Sequence, residues 1–294
     1  MPKLRTAVRK EDWVPSDEIL DTLLVESGAA GQIPTNEKKL LKFLGLEQLT
    51  FDFKKELDFL ETPETQPGEL RAALHLGERV VATQSGMGEK RTRFSVFHEV
   101  AHCVLPEHNS KLFVDTDQTL SWWSKVRLER EANQFAADLL FQGRRFTDQA
   151  LSRDVSVKSV LDLAPQYGAS YEAAFRRFTE NHTFPCALIV YQKPVHRDET
   201  YIEDDEYSIH YTITSGPFRK LFFTSVQMSA EVCKLTEICG TDEPLRTGQT
   251  IERELTVESA GKEKWRFETE IFSNGYKVFQ FVRRPTTETS RQSR

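Results

Sequence analysis

At 294 residues, 38% hydrophobic and 29% charged, the chain is long enough for two or three domains with cores of their own. A net charge of −6 argues against a protein that coats nucleic acid, while leaving room for a small local DNA contact. No apolar run approaches the roughly 18 residues that span a bilayer. The basic N-terminus, Met1-Pro2-Lys3-Leu4-Arg5-Thr6, has no apolar segment behind it to make a signal peptide. Cys103, Cys186, Cys233 and Cys239 are scattered without metal-type pairing and fit the free thiols of a reducing cytoplasm.

In chain order, residues 1–15 read as a loose arm. Ile19, Leu20, Leu23 and Leu24 then recur at helical spacing behind Ser16, a suitable N-cap, and Leu40, Leu41 and Leu44 repeat the pattern until Gly45 ends it. Residues 49–53 alternate like a strand, and 63–68 form a loop. Residues 70–76 and 79–83 flank Gly77-Glu78 as a hairpin, in which His75 reads as a strand residue rather than a ligand.

Residues 93–105 carry the chemistry. Phe94, Phe97, Ala101 and Val104 form an apolar stripe at spacings of three and four, and Pro106 stops the run. The segment contains His98-Glu99-Val100-Ala101-His102, an H-E-x-x-H sequence. Positions i and i+4 share a helix face, so both imidazoles can grip one metal ion. A catalytic zinc site normally has a third protein ligand. Residues 128–141 supply candidates on a strongly helix-forming stretch. Glu129 shares a face with Ala132, Asn133, Ala136 and Leu140, small residues that let another helix approach, whereas Glu131 shares the neighbouring face with Phe135 and Asp138. The spacing favours Glu129 as ligand over Glu131, with Asn133 one turn on as its supporting hydrogen-bond partner. Cys103 is expected to point away from the 98/102 face as a structural thiol. His108 is read as a surface residue, ahead of a fourth ligand or a substrate contact. Trp122 and Trp123 either line a cleft or sit in the core.

Beyond Arg145 the composition shifts. Residues 155–164 and 171–178 read as two short helices around a Gly168-containing turn, a helix-turn-helix outline with Arg176 and Arg177 on the second. From 144 to 180 six Lys/Arg face five Asp/Glu, a weak basic footprint for DNA readout, so packing or protein docking is favoured over DNA binding. From Pro185 the chain turns β-rich. Strands are predicted over 187–191, 207–213, 251–257, 264–272 and 276–282, with a helix over 229–239 and helices on one side of an antiparallel sheet. Residues 198–206 read as a solvated acidic loop, and 285–294 as a flexible tail.

The segments Arg93-Phe94-Ser95-Val96-Phe97-His98-Glu99-Val100-Ala101-His102 and Glu129-Arg130-Glu131-Ala132-Asn133-Gln134-Phe135-Ala136 resemble the paired signatures of the ImmA/IrrE family of metallopeptidases. The resemblance is strong over about 90–140 and weaker elsewhere. It implies an α+β multidomain chain: a zincin-like metallopeptidase domain over 1–150, a helix-turn-helix segment over 151–183 and a GAF-like α/β sensor domain over 184–284. It further implies that His98, His102 and Glu129 hold the metal and that Glu99 is the catalytic base. The implied substrate is a helix-turn-helix transcriptional repressor, cut at a limited site to induce a DNA-damage or radiation response.

The expected cofactor is zinc, with manganese or iron able to occupy the same donors. A small-molecule signal for the last domain follows from fold analogy alone. The competing function is a DNA-binding transcriptional regulator with a purely structural metal. Structural zinc favours cysteine ligands and four-coordination; no cysteine is suitably placed, and a glutamate stands between the histidines, which favours the enzyme.

Overall fold

The computed structural model describes residues 16–56, 70–109, 122–194, 206–222, 233–240, 245–258 and 264–284. The expected arm over 1–15, the 63–68 loop, nearly all of the acidic stretch and the 285–294 tail lie outside the described residues. So do the side chains of Trp122 and Trp123. The chain divides into two units, Met1–Phe146 with Gln166–Ser170, and Thr147–Pro165 with Tyr171–Arg294.

In the first unit, helix α1 (Ser16–Glu26) buries Ile19, Leu20, Leu23 and Leu24. Helix α2 (Glu37–Leu44) starts at Asn36, whose side chain accepts from the Lys39 backbone N–H, and ends at Gly45 in the left-handed conformation that a side chain would strain. Strand β1 (Glu47–Phe51) begins and ends two residues before the predicted 49–53, and Phe53 opens a short helix, α3 (Phe53–Glu56), instead. Asp52 ends the strand: its carboxylate accepts from Gln84 Nε2 at 3.1 Å and its carbonyl from Lys55 N at 3.1 Å. Phe53 is thereby buried while Phe51 stays exposed.

Strands β2 (Ala72–His75) and β3 (Val80–Gln84) form the expected hairpin, pairing His75 with Val80 and Ala72 with Thr83. Strand β1 adds parallel to β3, giving the order β1-β3-β2 and, among the described residues, leaving β2 at an edge. Helix α4 (Glu89–Val104), a single turn α5 (Pro106–Asn109) and the long α6 (Trp122–Phe141) follow. Val96, Phe97, Val100 and Ala101 of α4 and Ala132, Phe135, Ala136 and Leu139 of α6 are all buried, and the two helices pack together. The three alanines, Ala101, Ala132 and Ala136, all fully buried, are what allow the close crossing. Beyond α6, the Gln142 amide donates to Ala29 O and Gln32 O and accepts from Gly31 N, fixing the end of α6 to the loop after α1.

In the second unit, helices α7 (Arg145–Leu151, which opens at the boundary), α8 (Val157–Gln166) and α9 (Tyr171–Asn181) precede a six-stranded sheet. The strands are β4 (Cys186–Gln192), β5 (Glu206–Thr214), β6 (Cys233–Lys234), β7 (Thr250–Glu258), β8 (Lys264–Ser273) and β9 (Lys277–Arg283). Their order is β6-β5-β4-β9-β8-β7, antiparallel throughout. Helix α10 (Gly216–Leu221) follows β5, and α11 (Leu235–Cys239) follows β6.

Two expectations are corrected here. The helix predicted over 229–239 is, among the described residues, a two-residue strand and then a short helix. The Glu237 carboxylate accepts the Lys234 backbone N–H at 2.9 Å and starts the helix there. The sheet also carries helices on both faces. Phe175 of α9 stacks on Phe279, ring centroids 5.2 Å apart, while Phe218 of α10 and Ile238 of α11 join Ile189, Tyr191, Val278 and Phe267 in a core on the other face. The reason lies in β4, which is apolar at six successive buried positions and therefore needs cover on both sides.

Candidate metal centre

Helix α4 stacks His98 and His102 one turn apart, and the crossing of α4 with α6 brings Glu129 to meet them. His98 Nε2 lies 3.1 Å from His102 Nε2 and 3.1 Å from Glu129 Oε2, and His102 Nε2 lies 3.5 Å from Glu129 Oε1. Ligand atoms of a tetrahedral zinc ion with ~2.05 Å bonds stand about 3.3 Å apart. The separations lie near that edge, each imidazole facing a different carboxylate oxygen, and one ligand atom from each residue falls within 4.8 Å of the others. The donor set therefore suits a zinc-class cation in chemistry and approximate size. Among the described residues this is a group of His, Cys, Asp or Glu side chains close enough to hold a metal ion.

Charge follows the geometry. Hydrogen bonds from His102 and His98 hold the Glu129 carboxyl far below the usual carboxylate range, against the opposing effect of burial. Burial pushes His98 down, but Glu129, Glu99 and Asn133 together outweigh it and leave its pKa raised. Glu99 is 7% exposed. Burial pushes its carboxyl above the ordinary value, opposed by His98 and His102. It lines the same cleft as His98, His102 and Glu129, a space of about 840 Å³ walled by Ala72, Ala73 and Leu74 of the β2 edge and by Met87 and Phe94.

Around this centre the remaining expectations sort themselves. Asn133 Oδ1 lies 3.2 Å from His98 Nδ1, the ring nitrogen turned away from Glu129. Glu131 does not join the three donors: one carboxylate oxygen meets His108 Nε2 at 3.2 Å, the other accepts from Arg127 at 2.9 Å. Cys103 is half-buried, burial raising its thiol pKa, and takes no part in the cluster. His75 Nδ1 accepts the Glu78 backbone N–H inside the hairpin.

His108, expected at the surface, is 2% exposed. Pro106 does more than stop α4; it opens the turn of α5, which brings His108 Nδ1 to 2.9 Å from His102 Nδ1. Burial pushes the His108 pKa below its ordinary value. The pattern at Pro106-Glu107-His108-Asn109, a proline at the first helical position, was the signal for that turn.

Arg176, the basic candidate on the second helix of the helix-turn-helix outline, donates to Glu180 at 3.0 Å and lies over the Tyr211 ring. The opposite face of its helix is buried through Ala174, Phe175 and Phe178.

Residues 58–179, which include both helices of the centre, match the model of the IrrE N-terminal-like domain, Peptidase_M78, and this match supports the ImmA/IrrE family. No curated protein sequence matches the chain. Among solved structures, a Mycobacterium tuberculosis transcriptional regulator is similar in fold: 13% identical, with a TM-score of 0.54 over 92% of this chain and 75% of that one. Among the described residues no helix is long and apolar enough to cross a membrane.

Proposed function

We propose that the chain is a metal-dependent endopeptidase of the cytoplasm that cuts a helix-turn-helix transcriptional repressor and so induces a DNA-damage or radiation response. In layout it would resemble IrrE (PprI) of Deinococcus, with 1–150 as peptidase, 151–183 as the helix-turn-helix-like segment and 184–284 as a GAF-like module able to take a small-molecule signal. One observation carries the reading: two imidazoles and a carboxylate from crossing helices converge within 4.8 Å, beside a buried glutamate in an open cleft. The match to an IrrE N-terminal-like domain supports the same reaction class.

His98, His102 and Glu129 would hold zinc, or manganese in its place. When bound, such an ion polarises a carbonyl and lowers the pKa of water from 15.7 towards ~7. Glu99 is not among the converging donors, so its carboxylate takes the proton from the attacking water and hands it to the departing amine. Glu99 is buried and lines the same cleft as the three donors, which sets its carboxylate in the site without adding it to them. Substrate enters as an extended segment laid along β2: the strand pairs with β3 on one side, and its residues 72–74 wall the cleft.

The test is metal content and cleavage measured together on the full chain, against repressors encoded by the same organism. Purified protein should contain about one zinc-class ion per chain, cut one repressor at a single site, and stop with 1,10-phenanthroline. His98→Ala should lose metal and cleavage together. Cleavage that survives complete removal of metal would defeat the proposal.

A further inference from the structure

The hydrogen bonds behind His102 form a chain in which each atom has one role. We infer that His108 and Glu131 are positioning residues that fix the tautomer and orientation of His102 for the metal. The inference rests on the metal-site reading above. His102 Nε2 faces His98 and Glu129, so its lone pair belongs to the ion and its proton must sit on Nδ1. Nδ1–H then donates to His108 Nδ1 at 2.9 Å. His108 in turn carries its proton on Nε2 and donates to Glu131 Oε2 at 3.2 Å, while Glu131 Oε1 accepts from Arg127 at 2.9 Å.

Any other placement of these protons leaves two lone pairs or two protons facing each other. The other imidazole is served directly, its Nδ1–H donating to Asn133 Oδ1. The two ligands are therefore supported unequally: one by an amide on the facing helix, the other through a buried ring that ends on a half-exposed carboxylate. Glu131, two residues from Glu129 on the same helix, thus acts on the ion without touching it. Partners of this kind orient a ligand histidine and raise its basicity.

The test compares the full chain with His108→Phe, His108→Gln and Glu131→Ala, reading zinc affinity by competition with a chromophoric chelator. The cobalt-loaded absorption spectrum and the thermal melt of the metal-free forms are read alongside. His108→Phe keeps a ring but no acceptor, and should weaken zinc by about 10- to 100-fold and shift the cobalt bands. His108→Gln can accept from His102 and donate to Glu131, and should restore affinity to within about threefold of the parent. Glu131→Ala should weaken zinc by a few fold.

Parent-like affinity in a folded His108→Phe overturns the inference. So does His108→Gln binding as weakly as His108→Phe, which would mean that packing, not the hydrogen bond, matters. Should His108→Phe fail to fold, Glu131→Ala decides at its half-exposed position, and unchanged affinity there overturns the inference. If the parent chain itself takes up neither zinc nor cobalt, the metal site fails and the positioning role with it, a result distinct from a parent that binds and variants that bind equally.

Discussion

The two units handle buried charge in opposite ways. Among the described residues of the second, the half-buried Glu172 and the buried Glu270 are both matched. Glu172 accepts from Lys277 Nζ and Tyr211 OH, and Glu270 accepts the Val157 backbone N–H and pairs with Arg283 at 2.7 Å. In the first, the α4–α6 crossing gathers two imidazoles and two carboxylates, Glu129 and the buried Glu99, around a cleft. Glu172 and Glu270 of the second unit meet a lysine, an arginine, a tyrosine and a backbone N–H; Glu129 of the first meets two imidazoles, nitrogens that can donate to it or turn a lone pair to a cation instead. Matched polar groups specify a packed fold, whereas convergent acceptors facing open space mark a place where something else binds.

The largest expected effect tests whether Glu99 belongs to chemistry or to packing. Glu99→Gln keeps the volume and removes the base. Repressor cleavage should fall by about 10²- to 10⁴-fold, with zinc content and thermal melt unchanged. Cleavage at the parent rate would reduce Glu99 to a buried acid of the ordinary kind, and the contrast between the units would vanish.

A smaller effect is expected from the matched side. Phe175 is fully buried against Phe279, with Phe272 and Phe281 within 6.2 Å between ring centroids. Phe175→Ala removes that ring and leaves a cavity, costing about 3–5 kcal/mol of stability. Chemical denaturation should show the loss, while zinc affinity of the folded protein stays as in the parent. A large drop in affinity at equal folding would mean that the two regions do not divide the labour as described.

What was readable in the sequence follows from the range of the forces involved. That His98 and His102 share a face is a matter of helical period, and the small residues after Glu129 announced the crossing that brings it to them. The hairpin, the antiparallel strands and the left-handed Gly45 ending α2 were equally local. The misses are long-range. The limits of β1 turn on Asp52 bonding Gln84, 32 residues away, which no alternation of apolar residues reveals. Helices on both faces of the large sheet depended on where α9 would lie, although the apolar run of β4 already demanded two covers. His108 looked like a surface histidine because its partners, His102 and Glu131, sit on two different helices.

The smallest effect concerns the matched acid Glu172, and its sign can be worked out. Burial pushes its pKa up, but hydrogen bonds from Lys277 and Tyr211 outweigh that and leave it below the ordinary value. A carboxyl with a depressed folded pKa contributes stability above its unfolded pKa, about 4.3, and loses it as pH falls through the folded value. Glu172→Gln should therefore cost stability at pH 7 and nothing at the acid end, flattening the stability-against-pH curve below about pH 5. The side chain is a third exposed, so solvent screening keeps the loss to about 1 kcal/mol or less. Denaturant titrations of parent and variant from pH 7 down to 3 would read it as a converging pair of curves. Curves that stay parallel would show that Glu172 is held by shape and not by charge, and that matching in the second unit is looser than its hydrogen bonds suggest.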